Sequence, residues 1–391
     1  MLMIYPLYGL AEAGVHWFAT YQAHHRNRLG MSLSAYDPCL LITDGPKDEF
    51  GLLGMQTDDT LFVGTPAFVS KEEKEIQNAN FLTKPITTLS PKNPLEFNGC
   101  TITMVGKMDG SGCLELTQKG QGTKLALIDL ADPERAQKYV EQRARGAYIA
   151  SICQPEASFD LSVAAQAQKP DEEDIRKLNK RLEWQINNPQ RGLRMVPLDL
   201  TDAKLMAFTD GSFANNRDLS SQIGFLTTIV NERFMDDSFE ITGNVLHYTS
   251  VKCKRVTRSV LASEIYGMMA GFDTAMSLAA TLRMLTTRLG LPPIPVILCT
   301  DSKSLYECLI KLGTTDEKRL MIDVMAIREA YENREITEIR WINGKDNPAD
   351  AMTKASPNSV LQRFIDTNHL TIGIEGYVDR PMRSTKERVH G

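Results

Sequence analysis

Four acidic residues stand where a hard divalent cation could be held. Asp210 ends the apolar run in KLMAFTDGSF (Lys204–Phe213), and Gly211 and Ser212 turn the backbone away after it. Asp301 ends a second apolar run in VILCTDSKSL. Glu264 lies near the start of a long helical pattern, and Asp350 precedes the last one. Phosphodiester cleavage at neutral pH needs an activated water and stabilised charge on the leaving oxygen. Two divalent ions about 3.5–4 Å apart supply both. Magnesium prefers oxygen ligands, so such a site needs several converging carboxylates. Taken singly, Asp210 and Asp301 read more simply as turn residues or helix caps, because polar, turn-forming sequence follows each. It is the joint pattern of acid type, element type and order that favours metal.

The elements that would position these acids follow from periodicity. In the second half, strands are expected at 204–209, 222–230, 245–249, 296–300 and 336–342. Helices are expected at 258–289, 302–312, 316–333 and 357–366, with Leu261, Ile265 and Met268 pressing the Glu264 helix onto the sheet. Three antiparallel strands followed by alternating helix and strand make a mixed five-stranded α/β sheet. Its binding region should lie at the carboxyl ends of the parallel strands. The polar chain beyond Gly373 is expected to fray.

The first half reads as a helix at 11–29, then a hairpin of Pro38–Thr43 and Glu49–Gln56 about Asp44-Gly45-Pro46. Asp58 and Asp59 follow, an unusual pair for a hairpin tip, where Asn-Gly or Asp-Gly is favoured. His24 and His25 are adjacent on a helix and point in different directions, which makes them poor co-ligands. They read as a solvated helix end. A small sheet with loops is expected over 85–122, and helices at 133–153 and 170–187. The domain boundary falls near Leu200–Ala203.

Composition sets bounds. A chain of 391 residues can bury two cores. No apolar run nears the roughly 20 residues that span a bilayer, and no secretory signal opens the chain. The seven cysteines include no C-x-x-C pair, which argues against zinc and a disulfide framework and for a reduced, intracellular setting, cytoplasmic or nuclear. The net charge of −5 argues weakly against nucleic acid, although bound metal would offset an acidic site. A local basic run, VKCKRVTRS, sets Lys252, Lys254, Arg255 and Arg258 just before the Glu264 helix, where they could hold phosphates. Asn215 and Asn216 are weaker candidates for sugar or phosphate contacts.

FTDGSFANN, YTSVKCKRVTRSVLASEIYG, CTDSKSL and NPADAMTKA together resemble the RNase H domain of copia-type LTR retrotransposon polyproteins. LYGLAEAGVHWF, DPCLLI, the TDD turn, GAYIASICQPEASFDLSVAAQ and PQRGL resemble the adjoining reverse transcriptase segment. The resemblance implies a partial reverse transcriptase (palm and connection-like region) over 1–202, an RNase H-like domain over 203–368 and a polar tail over 369–391. It also implies metal ligation by Asp210, Glu264, Asp301 and Asp350, with Mg2+ or Mn2+ as cofactor and an RNA–DNA hybrid as substrate. Association with other segments of such a polyprotein is a further implied partnership.

By the same comparison Asp58 and Asp59 resemble the paired acids of a polymerase turn. Gln56 replaces the aromatic residue usual before it, and the family's first polymerase acid lies upstream of LYGL. Polymerase activity is therefore not expected of this segment. The stretch Arg340–Gly344 lacks the histidine that many RNases H place before the last acid, an absence expected to slow product release or reduce activity. Hybrid cleavage is the leading expectation, and an inactive nucleic-acid-binding remnant is the alternative.

Overall fold

A computed structural model describes residues 13–57, 59–106, 112–311 and 318–380. The chain forms two compact units, one of Met1–Thr88 with Ser277–Pro293, the other of Leu89–Met276 with Ile294–Gly391. The division falls at Thr88–Leu89, whereas the sequence suggests a boundary near 200–203. Residues 89–202 pack instead with the chain that follows. Asn244 bonds the backbone of Val196 in both directions, at 2.7 and 2.9 Å, and the Tyr248 hydroxyl donates to the Ala150 carbonyl at 2.6 Å.

In the first unit, helix α1 (Ala13–Leu29) precedes strands β1 (Met31–Leu33), β2 (Leu40–Thr43), β3 (Gly51–Gln56) and β4 (Asp59–Gly64). They pair antiparallel in that order, so the expected β2–β3 hairpin forms. Helix α2 (Pro66–Asn78) follows, capped by Thr65 with proline at its first position, a combination that suits helix starts. Gly51 and Gly64 are paired across β3 and β4, and a Cβ on either would come within 2.5 Å of the Phe68 ring. Two facing glycines thus make the slot that receives Phe68. His25 is not solvated as expected. It is fully buried, with Nδ1 2.9 Å from the Tyr21 carbonyl and Nε2 3.7 Å from buried Glu72 of α2. The tertiary contact with α2 outweighs the polarity of the side chain.

The second unit begins with β5 (Leu95–Phe97), β6 (Cys100–Val105) and β7 (Cys113–Gln118), which β8 (Leu193–Met195) completes as an antiparallel sheet. Helices α3 (Arg135–Cys153), α4 (Ser158–Ala164) and α5 (Glu172–Asn187) share a core of Tyr139, Ile149, Leu161, Ile175, Leu178 and Leu182. Asp171 starts α5 with a reciprocal capping box to Asp174. Strands β9 (Ala203–Ser212), β10 (Gln222–Phe234) and β11 (Ser238–Lys252) then form a meander, followed by helix α6 (Val260–Leu289), whose residues from Ser277 onward belong to the first unit. After it come β12 (Val296–Thr300), α7 (Lys303–Ile310), α8 (Met321–Glu332), β13 (Glu338–Ile342), α9 (Val360–Thr367) and β14 (His369–Asp379).

The fold is mixed α/β, but the expected five-stranded sheet is replaced by six strands closed in the ring β10-β11-β14-β13-β12-β9. The sixth strand, β14, occupies residues that sequence reading assigns to a tail from 369. Residues 369–379 alternate, with Leu370 and Ile372 buried, and pair with β11 on one side and β13 on the other. A half-buried strand needs only that alternation, and β11 at 15 residues is long enough to receive it. Ending the chain at Asn368 removes this closure and leaves the pairing edges of β11 and β13 open. That truncation is expected to abolish cooperative unfolding of the second unit in a denaturant titration. A smaller change, Ile372→Ala, is expected to cost about 2–5 kcal/mol.

The seven cysteines are free. Among the described residues no helix is long and apolar enough to cross a membrane.

Candidate metal centre

β9 and β12 lie side by side and parallel, with Thr209 opposite Thr300. The next residue on each strand is therefore Asp210 and Asp301, which emerge at the same sheet edge. Neither is a helix cap. Ser302 caps α7, its Oγ accepting from the Leu305 amide at 3.3 Å, and Asp210 lies within β9.

Glu264 reaches Asp210 because α6 approaches β9 closely. A Cβ on Gly211 would lie 2.4 Å from the Ser263 backbone; one on Gly267 would lie 2.7 Å from the Asp210 carbonyl oxygen. A Cβ on Gly271 would lie 2.7 Å from Thr209 Cγ2. Ser263 donates to the Gly211 carbonyl at 3.1 Å. Ser263, Gly267 and Gly271 recur every four residues and so share one helix face. Ile265 and Met268 are fully buried, as expected of the residues that press the helix down, and the small-residue stripe sets how near Glu264 comes.

Asp350 sits on a short 3-10 turn, Pro348–Met352, which Asn347 caps. Buried Asn347 also donates to the Thr209 carbonyl at 3.0 Å. Met352 abuts β10 at Gly224, where a Cβ would lie 2.2 Å from Met352 Cβ. The turn is thereby fixed to the two strands that bear and flank Asp210.

Asp210, Glu264 and Asp301 each bring one carboxylate oxygen within 4.8 Å of the others. Asp350 is not in that group. Its Oδ2 accepts from the Asn358 amide at 2.7 Å, and its Oδ1 pairs with Lys354. The same Lys354 Nζ lies 3.9 Å from Asp210 Oδ1, and Thr353 Oγ1 donates to Asp210 Oδ2. Thr353, Lys354, Asn347 and Asn358 escaped sequence reasoning as site residues, although NPADAMTKA contains the first three.

The electrostatics suit a cation. Asp210 is 3% exposed and Glu264 7%. Burial, with the charge of Asp301 added, pushes Asp210 up to about 6 against the pull of Lys354 and Thr353. Burial and the charges of Asp210 and Asp301 raise Glu264 well above the usual carboxylate range, and burial also raises Asp301. Glu264 Oε2 is buried with no hydrogen-bond partner. An orphaned carboxylate oxygen in a crowd of like charge lacks a counter-ion. The donors are all carboxylate oxygens, which suits Mg2+ or Mn2+ rather than a thiolate- or imidazole-seeking metal.

The other candidates divide. Lys252 pairs with Asp218; Arg255 pairs with Asp323 at 3.0 Å and lies 4.9 Å over the Tyr266 ring. Lys254 and Arg258 are exposed and form no ion pair among the described residues. If the run holds phosphates, Lys254→Ala with Arg258→Ala should lower the salt-dependence slope of hybrid binding by about 1–2. Lys252→Ala should change it less; equal slopes for all three proteins would remove the run from the interface. Asn215 donates to the Thr353 carbonyl at 2.7 Å and so braces the site, while Asn216 is buried beside Gln222. Gly344 of the histidine-free loop borders Asp301, where a Cβ would lie 3.2 Å from Oδ2. Asp58 lies outside the described residues. Asp59 is exposed, paired with Gln56 at the start of β4.

No protein-family model matches the chain, and no curated protein matches it. The solved structures it is similar to include two RNases H1 and a foamy viral protease-reverse transcriptase. With LC11-RNase H1, isolated from compost by a metagenomic approach, it shares 17% identity over 42% of this chain and 96% of that one, with a TM-score of 0.28. With RNase H1 from the halophilic archaeon Halobacterium salinarum the identity is 16% over 41% and 98%, and the TM-score 0.26. The foamy viral protease-reverse transcriptase in complex with RNA/DNA hybrid shares 11% identity over 83% of this chain and 37% of that one, with a TM-score of 0.46.

Proposed function

We propose that this chain is a metal-dependent endoribonuclease of copia-type retroelement origin that cuts the RNA strand of RNA–DNA hybrids. One observation carries the reading: carboxylates from three separate segments converge within 4.8 Å, and one Glu264 oxygen is buried with no hydrogen-bond partner. Four motifs in RNase H order lend it support. On this reading residues 1–202 are reverse transcriptase-derived, and the RNase H-like part runs from 203 through the strand at 369–379. Other segments of the same polyprotein are natural partners.

Asp210, Glu264 and Asp301 would hold one divalent ion, and Asp210 with Asp350 a second. Such ions supply water activation and stabilisation of the leaving oxygen. The chain's own contribution is placement. Thr353 fixes the Asp210 carboxylate through Oδ2, and the glycine stripe of α6 brings Glu264 to it. Asn347 holds the Asp350 turn to β9. Lys254 and Arg258 bind hybrid phosphates, and recognition of the RNA strand rests on its 2′-hydroxyls.

A labelled RNA–DNA hybrid, incubated beside single-stranded RNA and duplex DNA, tests this. The RNA of the hybrid should be cut with Mg2+ or Mn2+ and spared with chelator. Glu264→Gln should reduce the rate by more than about 100-fold, the upper cost of losing a group that merely orients a ligand. Cleavage that survives Glu264→Gln would overturn the assignment. Binding of the hybrid without cleavage would instead support an inactive binding module, a reading favoured by the ammonium of Lys354 seated between Asp210 and Asp350.

A further inference from the structure

The two halves of the acid cluster are not equivalent. Asp210, Glu264 and Asp301 converge with one Glu264 oxygen unpartnered, whereas both oxygens of Asp350 are engaged. The ammonium of Lys354 lies on Asp350 and 3.9 Å from Asp210 Oδ1, between the fourth acid and the other three. We propose that Lys354 holds the second cation position closed until a bound phosphodiester draws its ammonium away, so that the site loads its two ions in order. This rests on the nuclease reading above.

The charges support that order. Two divalent ions neutralise four carboxylates, and a retained ammonium would be surplus. One ion together with the ammonium leaves a single negative charge, so the half-loaded state tolerates Lys354 and the fully loaded state does not. The geometry permits the exchange. Thr353 is fully buried and tied to Asp210, while the side chain of Lys354 is 42% exposed. The anchor stays while the flexible stem swings its charge outward. A substrate phosphate offers that charge a new partner. Substrate and second ion therefore favour each other's binding, and linkage makes the effect reciprocal.

The test counts Mn2+ bound to the full chain by electron paramagnetic resonance, without substrate. Wild type should bind one ion tightly and Lys354→Met two, with the second-site affinity raised by more than about tenfold on removal of the competing charge. Lys354→Arg, which keeps the charge, should remain at one, separating the effect from any loss of packing. A phosphorothioate-linked RNA–DNA hybrid, corrected for ions bound by the hybrid alone, should add one ion to wild type and none to Lys354→Met. Two ions in substrate-free wild type, or one in Lys354→Met, would refute the proposal. If that happens while wild type still cuts the hybrid, the nuclease reading stands and the gating role falls. If neither protein binds Mn2+, both fall.

Discussion

Asp210→Asn is expected to make the metal-free protein more stable while removing hybrid cleavage. The two effects have opposite signs for one reason. In the folded state Asp210 is buried beside Asp301, and its carboxyl is raised from 3.8 to about 6. A folded pKa above the unfolded one means that the folded state binds the proton more readily. The stability linked to that proton is fully present below about pH 4 and is lost as pH rises through about 6. At pH 7.5 the ionised carboxylate is therefore a burden, of order 1–3 kcal/mol by the shift.

Asparagine keeps an oxygen for the Thr353 hydroxyl and drops the charge. Chemical denaturation in chelator at pH 7.5 should show the gain, and it should shrink toward zero near pH 4. Millimolar Mg2+ should reverse the ranking, because an ion that binds only the folded wild type stabilises it by mass action. A variant that is less stable than wild type in chelator at pH 7.5 would mean that the cluster does not lack a counter-ion.

Gly267→Ala is the second large effect, and its sign runs against helix propensity. Alanine in a helix interior normally gains about 1 kcal/mol over glycine. Here its Cβ would meet the Asp210 carbonyl oxygen at 2.7 Å, a backbone atom that cannot turn aside. Overpacking of that kind costs about 1–3 kcal/mol, so net destabilisation is expected, and more with Gly267→Val. The shift lifts α6 from β9 and carries Glu264 away from Asp210, so Mn2+ affinity should fall with stability. Gly14→Ala is the control. Nothing lies within 4 Å of its Cβ position in α1, and it should be neutral or stabilising. A stabilising Gly267→Ala would show that the close approach of helix and strand does not set the site.

Much of this was legible in the chain itself. The apolar runs before Asp210 and Asp301 were legible as strands; Asp301 directly follows β12 as expected, whereas β9 continues through Gly211 and Ser212, because both still pair with β10. The order of strands and helices from Ala203 to Ile342 followed from period, whereas the short α4 and β8 were not read from the sequence. The closing strand β14 was harder to see. Its alternation is short, polar residues fill one face, and its value depends on two strands far away in sequence that need a partner. His25 shows the same limit, because only the packing of α2 reveals that its neighbour is Glu72.

By itself the sequence determined which groups were available at the Asp210 site: carboxylates after two apolar runs, one near a helix start and one in the turn after the strand ending at Ile342. Only the tertiary structure decided how they combine. The parallel register of β9 and β12 brings Asp210 beside Asp301, because equal steps past paired threonines reach the same edge. Gly267 and Gly271 admit Glu264, because a missing Cβ matters only where another backbone comes close. Asp350 remains on Lys354, four residues away, because a short turn followed by a flexible side chain can satisfy it locally. Residue type sets the chemistry a site can perform, whereas distances of a few ångströms between remote segments set whether the groups act together, and those distances are a property of packing.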